Sequence, residues 1–183
     1  MKTKLAFLVA ALIFVAGSVT YLRSTETPNQ PSVGRSFVVT FSHYRRSTPT
    51  QRQTIIQLVN AQQGRSLVRR INRDGRDVEH VVHQYAPKAW AASLDRAAFQ
   101  RSTYVTHTEQ FLGLTVYVLR QDVGGQMLES WHAPETGAVP LKQILEIENG
   151  DALITEAISL EFREVSDQEL APQASLLWES SKS

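Results

Sequence analysis

Three extended runs between Gln126 and Val165, separated by two short polar turns, constrain the fold of this chain more than any other feature. The last run alternates apolar and polar residues, and its large apolar side chains are those of Ile154, Ile158, Leu160 and Phe162. Alternation with a period of two is typical of a strand with one buried face and one solvated face. We therefore expect these side chains to share the buried face of the last strand in an antiparallel meander.

Two turn sequences support the meander. Pro134-Glu-Thr-Gly137 predicts a type II turn, because Pro fixes φ and Gly accepts a positive φ. Glu148-Asn-Gly-Asp151 contains Asn-Gly, which is the strongest short hairpin signal. The middle run, Val139–Ile147, also alternates, and we expect Pro140 at a strand start or a sheet edge because it lacks an amide donor.

Strands are expected on both sides of one helix. We predict strands at 36–44, 65–71, 76–85, 103–107 and 114–120, with Asn72-Arg-Asp-Gly75 as a hairpin turn. Thr50–Gln62 fits a helix or a strand, and its β-branched residues favour a strand. Lys88–Phe99 predicts a helix, because Trp90 and Leu94 recur at helical spacing, and we expect both to press on the sheet. The fold class is α+β, mainly β: a single curved antiparallel sheet with one or two packing helices, preceded by an N-terminal hydrophobic helix.

The N-terminal segment resembles an export signal. Lys2 and Lys4 precede Leu5–Leu22, which are eighteen residues without a charge. The segment either is cleaved near Ala16-Gly-Ser18 or stays as a membrane anchor through residues 5–22. We divide the chain into a signal peptide or anchor (1–24), a flexible linker (25–35), a β-rich domain (36–172) and a C-terminal tail (173–183). In either case we expect the β-rich domain to lie outside the cytoplasm, either free in the periplasm or anchored to the inner membrane.

Few residues suggest chemistry. His80 and His83 lie three apart in a predicted strand, where alternation places them on opposite faces and makes them a poor metal pair. His132 and Glu135 could be a base and its partner, but both flank a turn, where polar residues are expected. The chain has no cysteine, no Gly-x-Ser-x-Gly elbow and no glycine-rich phosphate loop. We therefore predict no catalytic, metal-binding or cofactor-binding residue, and no cofactor.

Charge is divided unevenly along the chain. Residues 35–76 hold nine arginines and one acid, Asp74, whereas residues 126–183 hold eleven acids and three bases. The arginines are Arg35, Arg45, Arg46, Arg52, Arg65, Arg69, Arg70, Arg73 and Arg76. This pattern indicates either a basic face for an anionic envelope partner or a solvated face partly neutralised by the acidic half. A nucleic-acid partner is not expected for an exported protein.

Three segments carry a resemblance to a known family. These segments are Thr106-His-Thr-Glu-Gln-Phe-Leu-Gly-Leu-Thr-Val116, the run from Glu129-Ser-Trp-His to Pro-Leu-Lys142, and Ile154-Thr-Glu-Ala-Ile-Ser-Leu160. They resemble exported bacterial proteins of the outer-membrane lipoprotein-sorting type, which include the periplasmic lipoprotein carrier and an envelope-stress regulator that shares its fold. The resemblance covers about 60 of the 183 residues. It implies an open half-barrel of antiparallel strands, with helices that close an apolar hollow used for acyl chains. This chain has few helical segments for such a lid.

The sequence therefore predicts an exported, non-enzymatic envelope protein. It would bind a lipid, a lipoprotein or a protein partner on a curved antiparallel sheet. One alternative is a membrane-anchored envelope sensor or scaffold whose basic face docks a partner. Another is a hydrolase of unknown substrate that uses His132 with Glu135.

Overall fold

A single antiparallel sheet forms the protein in the computed structural model, which describes residues 35–84 and 96–171. The strands are β1 (Phe37–Arg45), β2 (Thr48–Asn60), β3 (Arg65–Ile71), β4 (Asp77–Gln84), β5 (Val105–Phe111), β6 (Leu114–Val123), β7 (Gln126–His132), β8 (Lys142–Glu146) and β9 (Ala152–Phe162). Their order across the sheet is β4-β3-β2-β1-β9-β8-β7-β6-β5. The sheet is open, because β4 and β5 lie at its two ends. A mainly β, antiparallel fold is thereby confirmed, and the half-barrel curvature stays a prediction.

Helix is scarce in the described part of the chain. It consists of α1 (Arg96–Arg101) and two 3-10 segments, Pro134–Thr136 and Glu148–Gly150. The predicted helix Lys88–Phe99 therefore overlaps α1 only at its end, and its first part, with Trp90 and Leu94, lies outside the described residues. The N-terminal segment 5–22, most of the linker and the tail 173–183 also lie outside them. Within residues 35–84 and 96–171, no helix is long and apolar enough to cross a membrane.

The predicted meander is confirmed as β7, β8 and β9, which are neighbours in the sheet. The segment Thr50–Gln62 is strand as far as Asn60, within β2, as its β-branched residues favour. At the β8–β9 turn, Asn149 has φ 64° and Gly150 has φ 72°, the pair of positive φ values that an Asn-Gly hairpin provides. The type II turn expected after Pro134 is wrong. Pro134–Thr136 form a 3-10 turn instead, and Gly137 follows it with φ 58° and ψ −126°.

A β-bulge in β9 corrects the predicted buried face of that strand. Thr40 pairs with Ser159, but Phe41 pairs with Ala157, so Ile158 has no partner in β1 and is 56% exposed. An extra residue reverses the alternation of side chains beyond it. Leu160 therefore shares a face with Phe41 and Ala157, whereas Ile154 lies on the opposite face. The expectation that the four apolar side chains share one face is wrong.

The largest apolar cluster joins both halves of the sheet. It contains buried side chains of β1, β2, β6, β7 and β9 together with the β2–β3 turn and the β7–β8 connection. Its buried members are Phe37, Val39, Phe41, Val59, Ala61, Val116, Val118, Trp131, Ala133, Val139, Leu141 and Ala157. Burial of one large apolar side chain contributes about 1.5–3 kcal/mol. A second cluster, Leu58, Leu67, Val165 and Leu170, packs the segment after β9 against β2 and β3.

Candidate functional site

A cleft of about 710 Å³ opens at one end of the sheet, beside the turn that joins β1 to β2. Its walls are formed by His43, Tyr44 and Arg45 of β1, Ser47, Thr48, Gln51 and Gln53 of the turn and β2, Asn72, Arg73 and Asp74 of the β3–β4 turn, and Leu153 of β9. The volume lies within the range of roughly 300–1,000 Å³ that small-ligand sites occupy. Most of the lining side chains are polar or charged, but apolar atoms make up the larger part of the lining surface, which favours a guest with both polar and apolar portions.

The cleft exists because β2 is longer than its neighbour β3. β2 pairs with β1 over Gln53–Val59 and again at Thr48, with Pro49–Arg52 bulged opposite Tyr44, and it pairs with β3 only from Thr54 onward. β3 ends at Ile71, where the chain turns back. Residues 48–53 therefore extend past the end of β3, and the bulged residues Pro49–Arg52 are exposed. This segment borders the cleft.

The wall formed by the β3–β4 turn is held by the side chain of Asn72. Its Oδ1 accepts hydrogen bonds from the backbone N–H groups of Asp74 and Arg76, each at 3.0 Å. The backbone N–H of Asn72 donates to the carbonyl oxygen of Arg76 at 2.9 Å. Gly75 completes the turn with φ 75°, a conformation in which L side chains are strained. These bonds place Arg73 and Asp74 at the mouth of the cleft.

The opposite wall is attached to the start of β9 through Asp151. The backbone N–H and the hydroxyl of Ser47 donate to the two carboxylate oxygens of Asp151, at 3.0 and 2.8 Å. The hydroxyl of Ser47 is the main reason why the pKa of Asp151 lies below its usual value. Arg45 approaches the same carboxylate at 4.0 Å with a side chain that is 46% exposed. Arg45 therefore remains accessible from the cleft.

The arginines of residues 35–76 do not all share one face. Arg69 and Arg70 are adjacent in β3 and form ion pairs on opposite faces, with Asp77 and Glu79 at 2.5 and 2.7 Å. Among the described residues, no ion pair is found for Arg46, Arg73 or Arg76, which lie in the β1–β2 and β3–β4 turns. Arginines therefore outnumber acids at the end of the sheet that carries the cleft, although Asp74 lies beside Arg73 there.

A row of polar side chains leads from the cleft into the sheet. Strand register aligns Gln53, His43, Thr155, Gln143 and Ser130 across β2, β1, β9, β8 and β7. We call this set the polar row. Its last four members are all buried, with exposures of 5–9%. The imidazole Nδ1 of His43 lies 2.7 Å from the hydroxyl oxygen of Thr155, so buried polar groups are joined within the row.

The two buried histidines on this face are neutral at neutral pH. Burial lowers the pKa of His43 to about 4, and the positive charge of Arg70 contributes to the same shift. Burial alone lowers the pKa of His132 to about 4. His132 Nε2 lies 2.9 Å from the hydroxyl oxygen of Ser130, the end of the polar row. The face therefore presents hydrogen-bonding groups without a formal charge, except at the arginine-rich end.

The sequence-predicted candidates have the following positions. His80 and His83 lie on opposite faces of β4, as strand alternation predicted, with partners Arg69 and Ser66 in β3. No group of three metal-ligating side chains occurs in residues 35–84 and 96–171. His132 and Glu135 have different partners: His132 contacts Ser130, whereas Glu135 accepts a hydrogen bond from Arg96 at 3.1 Å.

Comparison with known proteins found similar solved structures but no matching family. No protein-family model matches the sequence, and no curated protein matches it. Similar solved structures include an uncharacterised conserved protein from Thermus thermophilus, with 8% identity and a TM-score of 0.46, covering 92% of this chain and 98% of that one. A LolA superfamily protein from Nitrosomonas europaea has 11% identity and a TM-score of 0.38, covering 86% of this chain and 97% of that one.

PNGF-II is also similar, with 18% identity, a TM-score of 0.43 and 75% of this chain covered. The chain spans 30% of the length of that PNGF-II chain. All three TM-scores are below 0.5. The similarity to the lipoprotein-sorting family therefore stays a prediction from the sequence segments.

Sequence reasoning missed the polar row and the cleft. Gln53, Thr155 and Gln143 are separated by many residues and meet only through the register of four strands. One signal was available: Gln143 interrupts an apolar alternation in its run, and a buried polar residue in a strand requires a hydrogen-bonding neighbour.

Proposed function

We propose that the protein is an exported, non-enzymatic cell-envelope protein that binds a lipid, lipoprotein or protein partner on its open antiparallel sheet. The single observation that carries the proposal is the cleft at the arginine-rich end, which Arg45 and Arg73 both line. The guest carries negative charge where it meets these two side chains. The export segment at residues 5–22 supports a place outside the cytoplasm.

The electrostatics of the cleft favour an anionic guest. Arg45 is accessible, and its nearest carboxylate is only in weak contact at 4.0 Å. Arginine binds carboxylates and phosphates through paired N–H donors, and such charge-assisted bonds are about twice as strong as neutral ones. A guest anion is therefore attracted to this end of the sheet more strongly than to its other parts.

Apolar side chains lie directly behind the cleft. Leu153 lines the cleft, and strand register continues from it to Leu145 and Leu128 in β8 and β7. These three leucines form one buried cluster. A guest that combines an anionic group with an apolar portion would contact Arg45 and Leu153 together, which is consistent with a lipid, a lipoprotein or an amphipathic protein segment.

The direct test is recovery of the guest from purified protein. The full-length chain is purified from envelope fractions, and copurifying material is analysed by lipid extraction with mass spectrometry and by proteomics. Binding of a fluorescent fatty acid is measured in parallel. The double variant Arg45→Gln/Arg73→Gln should retain about tenfold less of the guest, and Arg120→Gln, an exposed arginine of β6, is the matched control.

Two outcomes would contradict the proposal. Wild-type protein that carries no anionic guest and binds no fluorescent fatty acid or acidic polypeptide would do so. Equal recovery of the guest from wild type and from the double variant would show that Arg45 and Arg73 in the cleft do not bind it. Sequencing the mature N-terminus decides the remaining alternative: a soluble chain that starts near Val19 excludes the membrane-anchored sensor or scaffold.

A further inference from the structure

The polar side chains that line the cleft fall into two groups. In the first group, Ser47 and Tyr44 donate hydrogen bonds from their hydroxyls to the carboxylates of Asp151 and Glu156. In the second group, no side-chain hydrogen bond is made to any other residue within 35–84 and 96–171. Its members are Thr48, Gln51, Gln53, Arg73 and Asp74. The second group is therefore available to a guest.

Asn72 adds a donor whose amide is already held in place. Its Oδ1 accepts hydrogen bonds from the backbone N–H groups of Asp74 and Arg76, each at 3.0 Å. An asparagine amide carries its two donors on the nitrogen, so the Nδ2 donors are left for an acceptor on the guest. A donor that the protein has already ordered loses little conformational entropy when it binds.

Asp74 shows that an anion alone does not match the cleft. A bare phosphate or carboxylate only accepts hydrogen bonds, so it suits Arg45 and Arg73, which only donate. It is repelled by the carboxylate of Asp74, which lies beside Arg73 and forms no ion pair with a described residue. It also offers no donor to Gln53 Oε1, which is buried without one. The guest must therefore donate hydrogen bonds as well as carry negative charge.

We infer that the cleft recognises a polyhydroxylated anion, which is a phosphate or carboxylate whose neighbouring carbon atoms carry hydroxyl groups. A hydroxyl both donates and accepts, so it suits Asp74, the Asn72 Nδ2 donors and the side-chain amides together. The inference rests on the proposed function and names the chemistry of the guest at the arginine-rich end. The same chemistry occurs in a glycerol-containing lipid headgroup and in a free phosphate ester.

An ammonium group is the other donor that would suit Asp74, and the cleft fits it less well. Ammonium donates only, so it leaves the Asn72 Nδ2 donors and the N–H groups of the glutamine amides without an acceptor. Arg45 and Arg73 line the same cleft, and like charges repel. A hydroxyl adds no charge and meets neither difficulty.

The volume and the apolar part of the cleft agree with a guest of this kind. The cleft has a volume of about 710 Å³, which is far more than one phosphate or carboxylate group occupies. Leu153 contributes an apolar wall. The carbon atoms that carry the hydroxyls of such a guest can contact this wall while the hydroxyls reach the polar side chains.

The test compares three phosphate monoesters that differ in one feature each. Glycerol 1-phosphate is the hydroxylated probe, propyl phosphate has the same carbon chain without hydroxyls, and phosphoethanolamine carries an ammonium group. Binding to the full-length protein in micelles of an uncharged detergent is followed by the amide chemical shifts of Asn72, Arg73 and Asp74. We expect glycerol 1-phosphate to bind about tenfold more tightly than either of the other two esters.

Two variants locate the groups that read the hydroxyls. Asp74→Ala should weaken binding of glycerol 1-phosphate by about tenfold and should not weaken binding of propyl phosphate, because it removes an acceptor and a repulsive charge together. Its control is Glu164→Ala, which removes an exposed acid beyond the far end of β9. Gln53→Leu should reduce the preference for glycerol 1-phosphate by about threefold, and Gln121→Leu, in β6, is its control.

Arg45→Gln/Arg73→Gln should weaken both glycerol 1-phosphate and propyl phosphate, because it removes the groups that bind the anion. Three results would overturn the inference. They are equal affinity for these two esters in the wild-type protein, tighter binding of phosphoethanolamine, and an equal loss for both esters in Asp74→Ala.

A lipid arm identifies the source of the hydroxylated anion. The uncharged micelles are doped with phosphatidylglycerol or with phosphatidylpropanol, which has the same charge and lacks the hydroxyls. A preference for phosphatidylglycerol assigns the cleft to a lipid headgroup, and a preference found only among the free esters assigns it to a soluble guest. Both results support the inference.

The failure of this inference differs from the failure of the proposed function. If the esters and lipids without hydroxyls bind as tightly as their hydroxylated counterparts, the inference fails and the binding of anions stands. If no ester or lipid binds but a guest copurifies with the protein, the inference fails and the proposed function stands. If nothing binds and nothing copurifies, both fail.

Discussion

The arginine-rich half of the sheet, β1–β4, and the meander, β7–β9, use the same strand pairing with different results. In the meander the connection between β7 and β8 folds back, and its Val139 and Leu141 are fully buried in the main cluster. In the arginine-rich half, β2 continues past the end of β3, and its bulged residues Pro49–Arg52 pair with neither described neighbour. In the meander, the connection is packed into the main cluster. In the arginine-rich half, the difference in length between β2 and β3 leaves room for the cleft.

The comparison shows where a sheet of this kind can acquire a binding site. Buried strand ends need complementary apolar side chains, and substitution there costs stability. A strand that continues past its neighbour exposes backbone groups and charged side chains at little cost to the core. We therefore expect stability to depend on the meander and binding to depend on the arginine-rich end.

The largest expected effect is on stability in the meander. Leu141 is fully buried, so Leu141→Ala should lower the free energy of unfolding by about 2–5 kcal/mol. Ile158 is 56% exposed at the bulge, and Ile158→Ala should change it by less than about 0.5 kcal/mol. Urea unfolding of both variants measures the difference. A large loss for Ile158→Ala would contradict the bulge.

The next largest expected effect is a dependence of stability on pH, to which each half contributes one buried histidine. His43 and His132 have pKa values of about 4 in the folded protein, below the usual 6.5. Between these values the unfolded chain binds more protons, so stability rises with pH and is complete above about 6.5. Each histidine contributes up to about 3 kcal/mol, which is lost as the pH falls toward 4.

Unfolding measured from pH 4 to pH 7 tests this dependence. His43→Gln should reduce the slope of stability against pH in that window, whatever its effect on stability itself. The lowered pKa of Asp151 acts in a separate range, because its contribution is lost only as the pH falls below its usual value of 3.8. A slope that is the same in His43→Gln would show that His43 is not buried as a neutral group.

A smaller effect is expected at the turns of the two halves. Gly75 and Gly150 have φ values of 75° and 72°, and a Cβ at either position would meet no atom within 4 Å. Gly75→Ala and Gly150→Ala should each cost about 1–2 kcal/mol through backbone strain alone. Thermal unfolding of the two variants should give similar losses. A much larger loss at one turn would indicate that it packs against further residues.

The smallest effect on stability is expected at the cleft itself. Arg73 lies in an exposed turn, so Arg73→Gln should change the free energy of unfolding by less than about 0.5 kcal/mol. Binding of an anionic guest should nevertheless weaken in the same variant. A substantial loss of stability in Arg73→Gln would mean that the arginine-rich end is held together by this side chain.

Local signals predicted much of the fold, and long-range register explains what they missed. Asn149-Gly150 and the alternating runs are local, so the hairpin and the strand types followed from the sequence. The bulge at Ile158 depends on how β1 pairs with β9, and no neighbouring residue in the chain indicates it. The polar row and the cleft require the pairing of residues as distant as His43 and Thr155. The arginine excess was visible, but its collection at one end of the sheet was not.

The central claim is that the open, arginine-rich end binds the guest and the packed half does not. Backbone amide chemical shifts of the isotope-labelled full-length protein in micelles, titrated with an acidic polypeptide or with phosphatidylglycerol, test it directly. We predict changes confined to residues 43–53 and 72–74, with the amides of β6 and β7 unchanged. Changes centred on β6 and β7, or none with either probe, would contradict the account.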